Sequence, residues 1–290
     1  MRRNHVVRIT SSKPKPRPCA GLARLTAVDE VLSGGITNAG AVLRRGEIVD
    51  RPAQPHAAAI HRFLEALPQH GFTAAPRPVG LADAREQLTY VSGDVALMPY
   101  PAWSMTEAAL TSLGALLRRF HQASSAIALE PDVPWATDLA DPRGGTILCH
   151  SDTCVENVVF RDGEAYGLID FDMAAPGRPL WDVAMAARYW APMLDPAAAA
   201  EYPCYVGLDP VRRLRILADG YRMSADDRAG FLNVIEEVTV VERAELAARV
   251  EAGDAAFVEA FNDHGGWATW DRTQAWLADQ RTTFLAALIQ

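Results

Sequence analysis

The stretch from His150 to Asp172 restricts the fold of this chain more than any other, because it dictates how the backbone must turn. Val155, Val158, Val159 and Phe160 precede Arg161-Asp162-Gly163-Glu164, and Tyr166-Gly167-Leu168-Ile169 follows. Asp-Gly between two apolar runs is a hairpin signal, since its two central residues take up positive φ and match the twist of the flanking strands. Such a hairpin returns Asp170 to the level of Asn157. Ahead of it, His150, Asp152 and Asn157 form an H-x-D-x-x-x-x-N string, so the turn gathers two carboxylates and an amide from separated positions.

That gathering has a chemical reading. In a string of this spacing the Asp meets a substrate hydroxyl and the Asn five residues later binds Mg²⁺. Asn157 and Asp170 offer the oxygen atoms that hard Mg²⁺ prefers, with the ion bridging nucleotide phosphates, and Asp152 stands beside them as the base. Phosphoryl transfer needs this set: a hydroxyl held in line with the γ-phosphate, and positive charge against the oxygens over which negative charge spreads.

The rest of the chain supplies the frame. Residues 41–45 and 47–51 flank Gly46 as two strands joined by a tight turn, and residues 87–91 read as another strand, stopped by Ser92-Gly93. Between them, Ile60, Phe63, Leu64 and Leu67 recur at helical spacing over 57–67, and Pro68 and Gly71 end that helix. From Pro101 onward helical patterns dominate, and Thr106-Glu107 starts a run that puts Leu110, Leu113, Leu117 and Phe120 on one face, the expected core. The pattern predicts a mobile arm over 1–18, where proline keeps KPKPRP extended. A small β-rich nucleotide-binding lobe over 19–92 follows, then a helical lobe over 93–290 that carries the hairpin and the substrate site.

Composition excludes several function classes. The 290 residues are 49% hydrophobic and 22% charged, enough for a substantial core without disulfide staples. A formal charge of −8 repels phosphate backbones and anionic lipid, so neither nucleic acid nor a membrane is an expected partner. Cys19, Cys149, Cys154 and Cys204 show no CxxC pair and no metal-ligand spacing, which fits reduced thiols in a cytoplasm. No stretch offers ~20 uncharged apolar residues, and nothing implies an obligatory protein partner.

The string at 150–157, the hairpin and Ile169-Asp170-Phe171-Asp172 resemble, in this order, the aminoglycoside phosphotransferase and choline kinase family, whose members share a catalytic loop followed by an I-D-x-D motif. Ser33-Gly34-Gly35-Ile36-Thr37-Asn38 looks like the family's phosphate loop, and Pro179-Leu180-Trp181-Asp182-Val183-Ala184 resembles its helix start after the metal motif. The resemblance implies an α+β, protein-kinase-like two-lobed fold. It also implies an O-phosphotransferase with ATP or GTP as donor, Mg²⁺ as cofactor and a small-molecule hydroxyl as acceptor. Asp152 then serves the hydroxyl, Asn157 and Asp170 the metal, and Asp172 either the metal or a loop contact. Gly34, Gly35, Thr37 and Asn38 fall to the phosphates, Tyr90, Val91 and Ser92 to the purine, and His150 to bracing the loop. Inactivation of an antibiotic such as an aminoglycoside is the leading role. A metabolic or biosynthetic kinase for a choline-like, amino-alcohol or natural-product hydroxyl, or a catalytically silent nucleotide-binding pseudokinase, is the alternative.

Some features depart from the family pattern. Beyond Lys15 the sequence has no lysine, so the lysine that kinases carry on the third strand is missing, as is its glutamate on the following helix, at a position near His56 and Ala57. Arg51, at the end of the corresponding strand, is the candidate for the phosphates. The short run from Asp170 to Asp182 has no A-P-E sequence, which favours a small molecule over a peptide. Asp182 is expected to complement backbone donors at a helix start. The acids between Asp226 and Asp254 are expected to form a solvated helix face, and Trp267, Trp270 and Trp276 to pack.

Overall fold

The computed structural model describes residues 30–32 and 41–290. The arm expected over 1–18 lies outside them. Among the described residues, β1 (Glu30–Val31), β2 (Leu43–Arg45), β3 (Ile48–Pro52), β4 (Pro78–Ala82) and β5 (Arg85–Thr89) form an antiparallel sheet in the order β1-β2-β3-β5-β4. Gly46 makes the β2–β3 turn at φ 64, a value that costs glycine nothing. Helix α1 (Ala57–Ala66) leaves β3 and buries Ile60, Phe63 and Leu64, and the chain turns away through Pro68 and Gly71.

The strand expected over 87–91 sits two residues earlier, and its partner β4 was not foreseen. Their hairpin turns at Asp83 and Ala84, with φ 53 and 58 and no glycine, so the usual turn signal is absent. The earlier start matters, because it pairs Glu86 directly with Arg51 across β3 and β5.

After Gly93 the chain forms β6 (Asp94–Val95), α2 (Glu107–Ser124), β7 (Ile147–Cys149), β8 (Val158–Arg161), β9 (Glu164–Leu168) and β10 (Ala175–Gly177). Six helices complete it: α3 (Pro179–Trp190), α4 (Pro196–Ala200), α5 (Pro210–Tyr221), α6 (Ala225–Glu251), α7 (Ala255–Asp263) and α8 (Gly266–Ile289). Thr106 caps α2 by accepting a hydrogen bond from the Ala109 amide at 3.1 Å. Leu110, Leu113, Leu117 and Phe120 are fully buried, each contributing roughly 1.5–3 kcal/mol of apolar burial. The β8–β9 hairpin turns at Asp162 and Gly163, φ 52 and 80, and pairs Val158 with Leu168. The two lobes meet where the Leu168 amide donates to the Ala74 carbonyl at 2.9 Å.

The acids on α6 do not form a bare solvated face. Glu237 binds Arg178 at 2.7 Å and also Arg143, Glu242 binds Arg188 at 2.7 Å, and Glu245 binds Arg249 at 2.5 Å. Glu245 and Arg249 are an i,i+4 pair within α6, but periodicity along that helix cannot show Arg143, Arg178 and Arg188, which arrive from other elements. The tryptophans do pack: Trp276 meets Phe284 edge-on at 5.8 Å between centroids, and Trp267 meets Phe261 at 4.7 Å.

Helices α2 and α5 cross at two glycines. A Cβ on Gly114 would lie 2.5 Å from the Tyr221 amide nitrogen, and one on Gly220 would lie 2.5 Å from the Thr111 carbonyl. Backbone atoms on both sides cannot swing away, so Gly114→Ala overpacks the crossing. The expected loss is about 1–3 kcal/mol in denaturant unfolding; an unchanged midpoint would mean that the helices separate freely.

Candidate active site

Strand β7 delivers the chain at Cys149, and one buried carboxylate sets the loop that follows. Asp182, near the start of α3, accepts from the His150 amide at 2.8 Å and the Ser151 amide at 2.7 Å, and from His121 Nε2 at 3.0 Å. Thr153 Oγ1 donates to the Asp182 carbonyl at 2.9 Å. Asp182 therefore does complement backbone donors, but those of the loop and not of its own helix. Ser151 adopts φ 61, the bend that turns the loop toward Asp152. Burial alone would raise the Asp182 carboxyl, yet the hydrogen bond and charge of His121 outweigh it and hold the group below its ordinary range. His150 Nε2 donates to the Ile169 carbonyl at 2.8 Å and its ring packs on Phe171, tying the loop to the I-D-F-D segment.

On this frame Asp152 and Asn157 meet. Asn157 Nδ2 donates to Asp152 Oδ2 at 2.8 Å and to the Asp152 carbonyl at 2.9 Å, which leaves the amide oxygen as the end a cation would take. Burial pushes the Asp152 carboxyl up and the charge of Asp170 adds to the rise, against His150 and the hydrogen bond from Asn157. A carboxylate raised in this way is a better proton acceptor. The Ile169 amide donates to the Asn157 carbonyl at 3.0 Å, so the hairpin brings Asp170 back beside Asn157. Asp170 itself sits in the left-handed region at φ 64, which aspartate tolerates.

Arg51 joins the lobes. Its Nη1 donates to Asp170 Oδ1 and its Nη2 to Asp172 Oδ1, each at 2.6 Å, while Nε donates to Glu86 Oε1 at 2.8 Å. These carboxylates outweigh the burial of the guanidinium and keep it charged. Glu86 is itself buried, and His61 Nε2 on α1 holds its second oxygen at 2.8 Å. The ion pair that the sequence lacks at its usual helix position is thus replaced by arginine on β3, glutamate on β5 and histidine on α1. Near the expected partner position, His56 Nε2 instead donates to the Asp172 carbonyl at 2.8 Å, and Gln54 donates to Asp172 Oδ2 at 3.0 Å. Burial and neighbouring Asp170 push Asp172 up to about 6, against Arg51 and Gln54.

The donors suit Mg²⁺. One guanidinium binds oxygens of both Asp170 and Asp172, so the two carboxylates face the same positive group, and the Asn157 amide oxygen belongs to the same hard donor class.

The remaining sequence candidates are less gathered. Gly34, Gly35, Thr37 and Asn38 lie outside the described residues. At the hinge, the Tyr90 amide donates to the Glu47 carbonyl at 2.8 Å and its ring stacks under Arg44, while the Ser92 carbonyl accepts from Arg161. Val91 packs by Gly167. The thiols of Cys149 and Cys154 are pushed up by burial, as unreactive structural cysteines are. Glu86, His61 and Gln54 were missed. For Glu86 a signal existed, since it shares the alternating inner face of its strand with Leu88.

Residues 129–215 match the phosphotransferase enzyme family. The chain is 32% identical over 275 residues to the trifolitoxin immunity protein of Rhizobium leguminosarum bv. trifolii, covering 90% of this chain and 99% of that one. The chain belongs to the phosphotransferase enzyme family. As a phosphotransferase it shares its fold with a choline/ethanolamine kinase family protein from Mesorhizobium loti, at TM-score 0.59 and 16% identity over 92% of this chain and 94% of that one. It also resembles an amicoumacin kinase in complex with AMP-PNP, Ca²⁺ and Ami, at TM-score 0.54 and 14% identity over 82% and 89%. The kinase-like architecture read from the sequence is therefore the fold of this phosphotransferase. Among the described residues no helix is long and apolar enough to cross a membrane.

Asp182 gives a prediction with a definite sign. Its folded-state carboxyl lies below the unfolded value of about 3.9, so its stabilisation is present above that pH and is lost as pH falls through the folded value. Asp182→Asn should lose about 3–5 kcal/mol at neutral pH, and the gap to wild type should close below about pH 4. Denaturant unfolding as a function of pH checks both; a gap that does not change with pH would contradict the assignment.

Proposed function

We propose that this phosphotransferase moves the γ-phosphoryl group of ATP or GTP to a hydroxyl of a small antimicrobial molecule and so protects its cell. The observation that carries the reaction is the pairing of Asp152 with Asn157 beside carboxylates that one cation already bridges. Asp152 orients the acceptor hydroxyl and takes its proton. The hydroxyl oxygen forms the new bond to the γ-phosphorus as the bond to the β-bridging oxygen breaks, and a nucleoside diphosphate leaves. Asn157, Asp170 and Asp172 would hold Mg²⁺, which when bound supplies positive charge to the phosphate oxygens. Arg51 adds its own fixed charge to the phosphates. Gly34, Gly35, Thr37 and Asn38 would cover the phosphates with backbone donors and the hinge at Tyr90, Val91 and Ser92 would meet the purine, a cytoplasmic reaction in keeping with its donor.

Support for the acceptor class comes from the relative, which is an immunity protein against trifolitoxin. Support for the donor comes from the amicoumacin kinase, whose complex holds a nucleotide and a divalent cation. Arg51 with Glu86 answers the missing lysine and glutamate, which weighs against a silent pseudokinase.

The test is transfer itself. With Mg²⁺, ATP or GTP and a panel of trifolitoxin, aminoglycosides, macrolides and amino alcohols, mass spectrometry should find one added phosphoryl group on an antimicrobial compound. Asp152→Asn should cut the rate about 10²–10⁴-fold with nucleotide binding retained. Phosphorylation of an amino alcohol alone would move the role to metabolism, and nucleotide binding without any product would favour a sensor.

A further inference from the structure

Arg51 faces three carboxylates at once, and its nitrogens divide them unequally. Nε is fixed on Glu86 at 2.8 Å, and Glu86 cannot follow the arginine because His61 holds its other oxygen at 2.8 Å and both groups are buried. The two terminal nitrogens lie on Asp170 and Asp172 in the more open part of the cluster, where the Asp170 side chain is 36% exposed. The guanidinium therefore has an anchored end and a forked end.

From this we propose that Arg51 is a two-position cation pivoting on Glu86. This rests on the phosphotransferase reading of the site. Without nucleotide, its fork occupies Asp170 and Asp172 and keeps divalent cations out. With nucleotide, the fork transfers to phosphate oxygens and opens the aspartates to the metal. The exchange is chemically like for like, since a phosphate group presents paired oxygens to Nη1 and Nη2 much as the two carboxylates do, and Nε keeps its glutamate throughout. Two cations on the same aspartate oxygens would repel each other strongly in a poorly screened site, so the arginine and the metal compete for them. Lysine could not act in this way, because a single ammonium cannot hold Glu86 and offer a planar fork to two further groups. The consequence is coupled loading: metal binding depends on the phosphate chain and not on the protein alone.

Mn²⁺ is a direct probe, read by electron paramagnetic resonance of the free ion and by calorimetry, with and without AMP-PNP. Without nucleotide, Arg51→Gln should bind Mn²⁺ at least tenfold more tightly than wild type, and Arg51→Lys should fall between them. A second substitution, Asp170→Asn, in the Arg51→Gln background should remove the gain. With AMP-PNP the order should reverse, wild type holding Mn²⁺ at least tenfold more tightly than Arg51→Gln. Circular dichroism establishes that the variants are folded, and Arg51→Lys, which keeps the charge, carries the comparison if the neutral variant is not. Wild type binding Mn²⁺ alone as tightly as the arginine variants would overturn the switch and leave the phosphotransferase reading standing. Failure of wild type to bind Mn²⁺ even with AMP-PNP would overturn both.

Discussion

The active loop of this phosphotransferase hangs on one buried carboxylate. Asp182 takes the amides of His150 and Ser151 and the imidazole of His121, so a charge without access to water is satisfied entirely by groups whose positions then become fixed. Those positions decide where Asp152 stands. The same helix that carries Asp182 continues into the core through Trp181, Val183 and Met185, which places the loop under the control of packing far more rigid than a surface loop enjoys. His150 extends the hold to Ile169 and Phe171, which ties the loop of Asp152 to the segment that carries Asp170.

Against that rigid floor, the upper lobe contributes a cation whose partners belong to both lobes. Arg51 on β3 reaches Asp170 and Asp172 while Glu86 and His61 secure it from its own lobe. Kinase-like sites need a fixed positive charge over the phosphates and an anion to aim it. Here Glu86 lies directly across the sheet from Arg51, so strand pairing sets their register, and α1 contributes the imidazole of His61 in place of a carboxylate. Arginine suits the arrangement because its fork serves three oxygens in one plane, and its permanent charge survives burial.

What could be read from the sequence follows the range of the interactions. Asp152, Asn157 and Asp170 were legible because an eight-residue string and an Asp-Gly turn bring them together locally, and the same turn announces the hairpin. The α2 core face was legible for the same reason, through its spacing. For Glu86 only its alternation with Leu88 was legible, since its tie to Arg51 crosses thirty-five positions and depends on a hairpin that turns at Asp83 and Ala84 without glycine. Arg188 and Arg178 likewise neutralise acids of α6 from elements far away in the chain, which no pattern along that helix discloses. Asp182 was seen as a binder of backbone donors, but which donors required the fold.

A structure of the chain with AMP-PNP and Mg²⁺ tests this account most directly. It should show Asn157 and Asp170 on the metal, Asp152 facing an open acceptor site, and the Arg51 fork on phosphate oxygens with Nε still on Glu86. A nucleotide bound elsewhere, or an Arg51 still spanning Asp170 and Asp172 beside a bound metal, would contradict it.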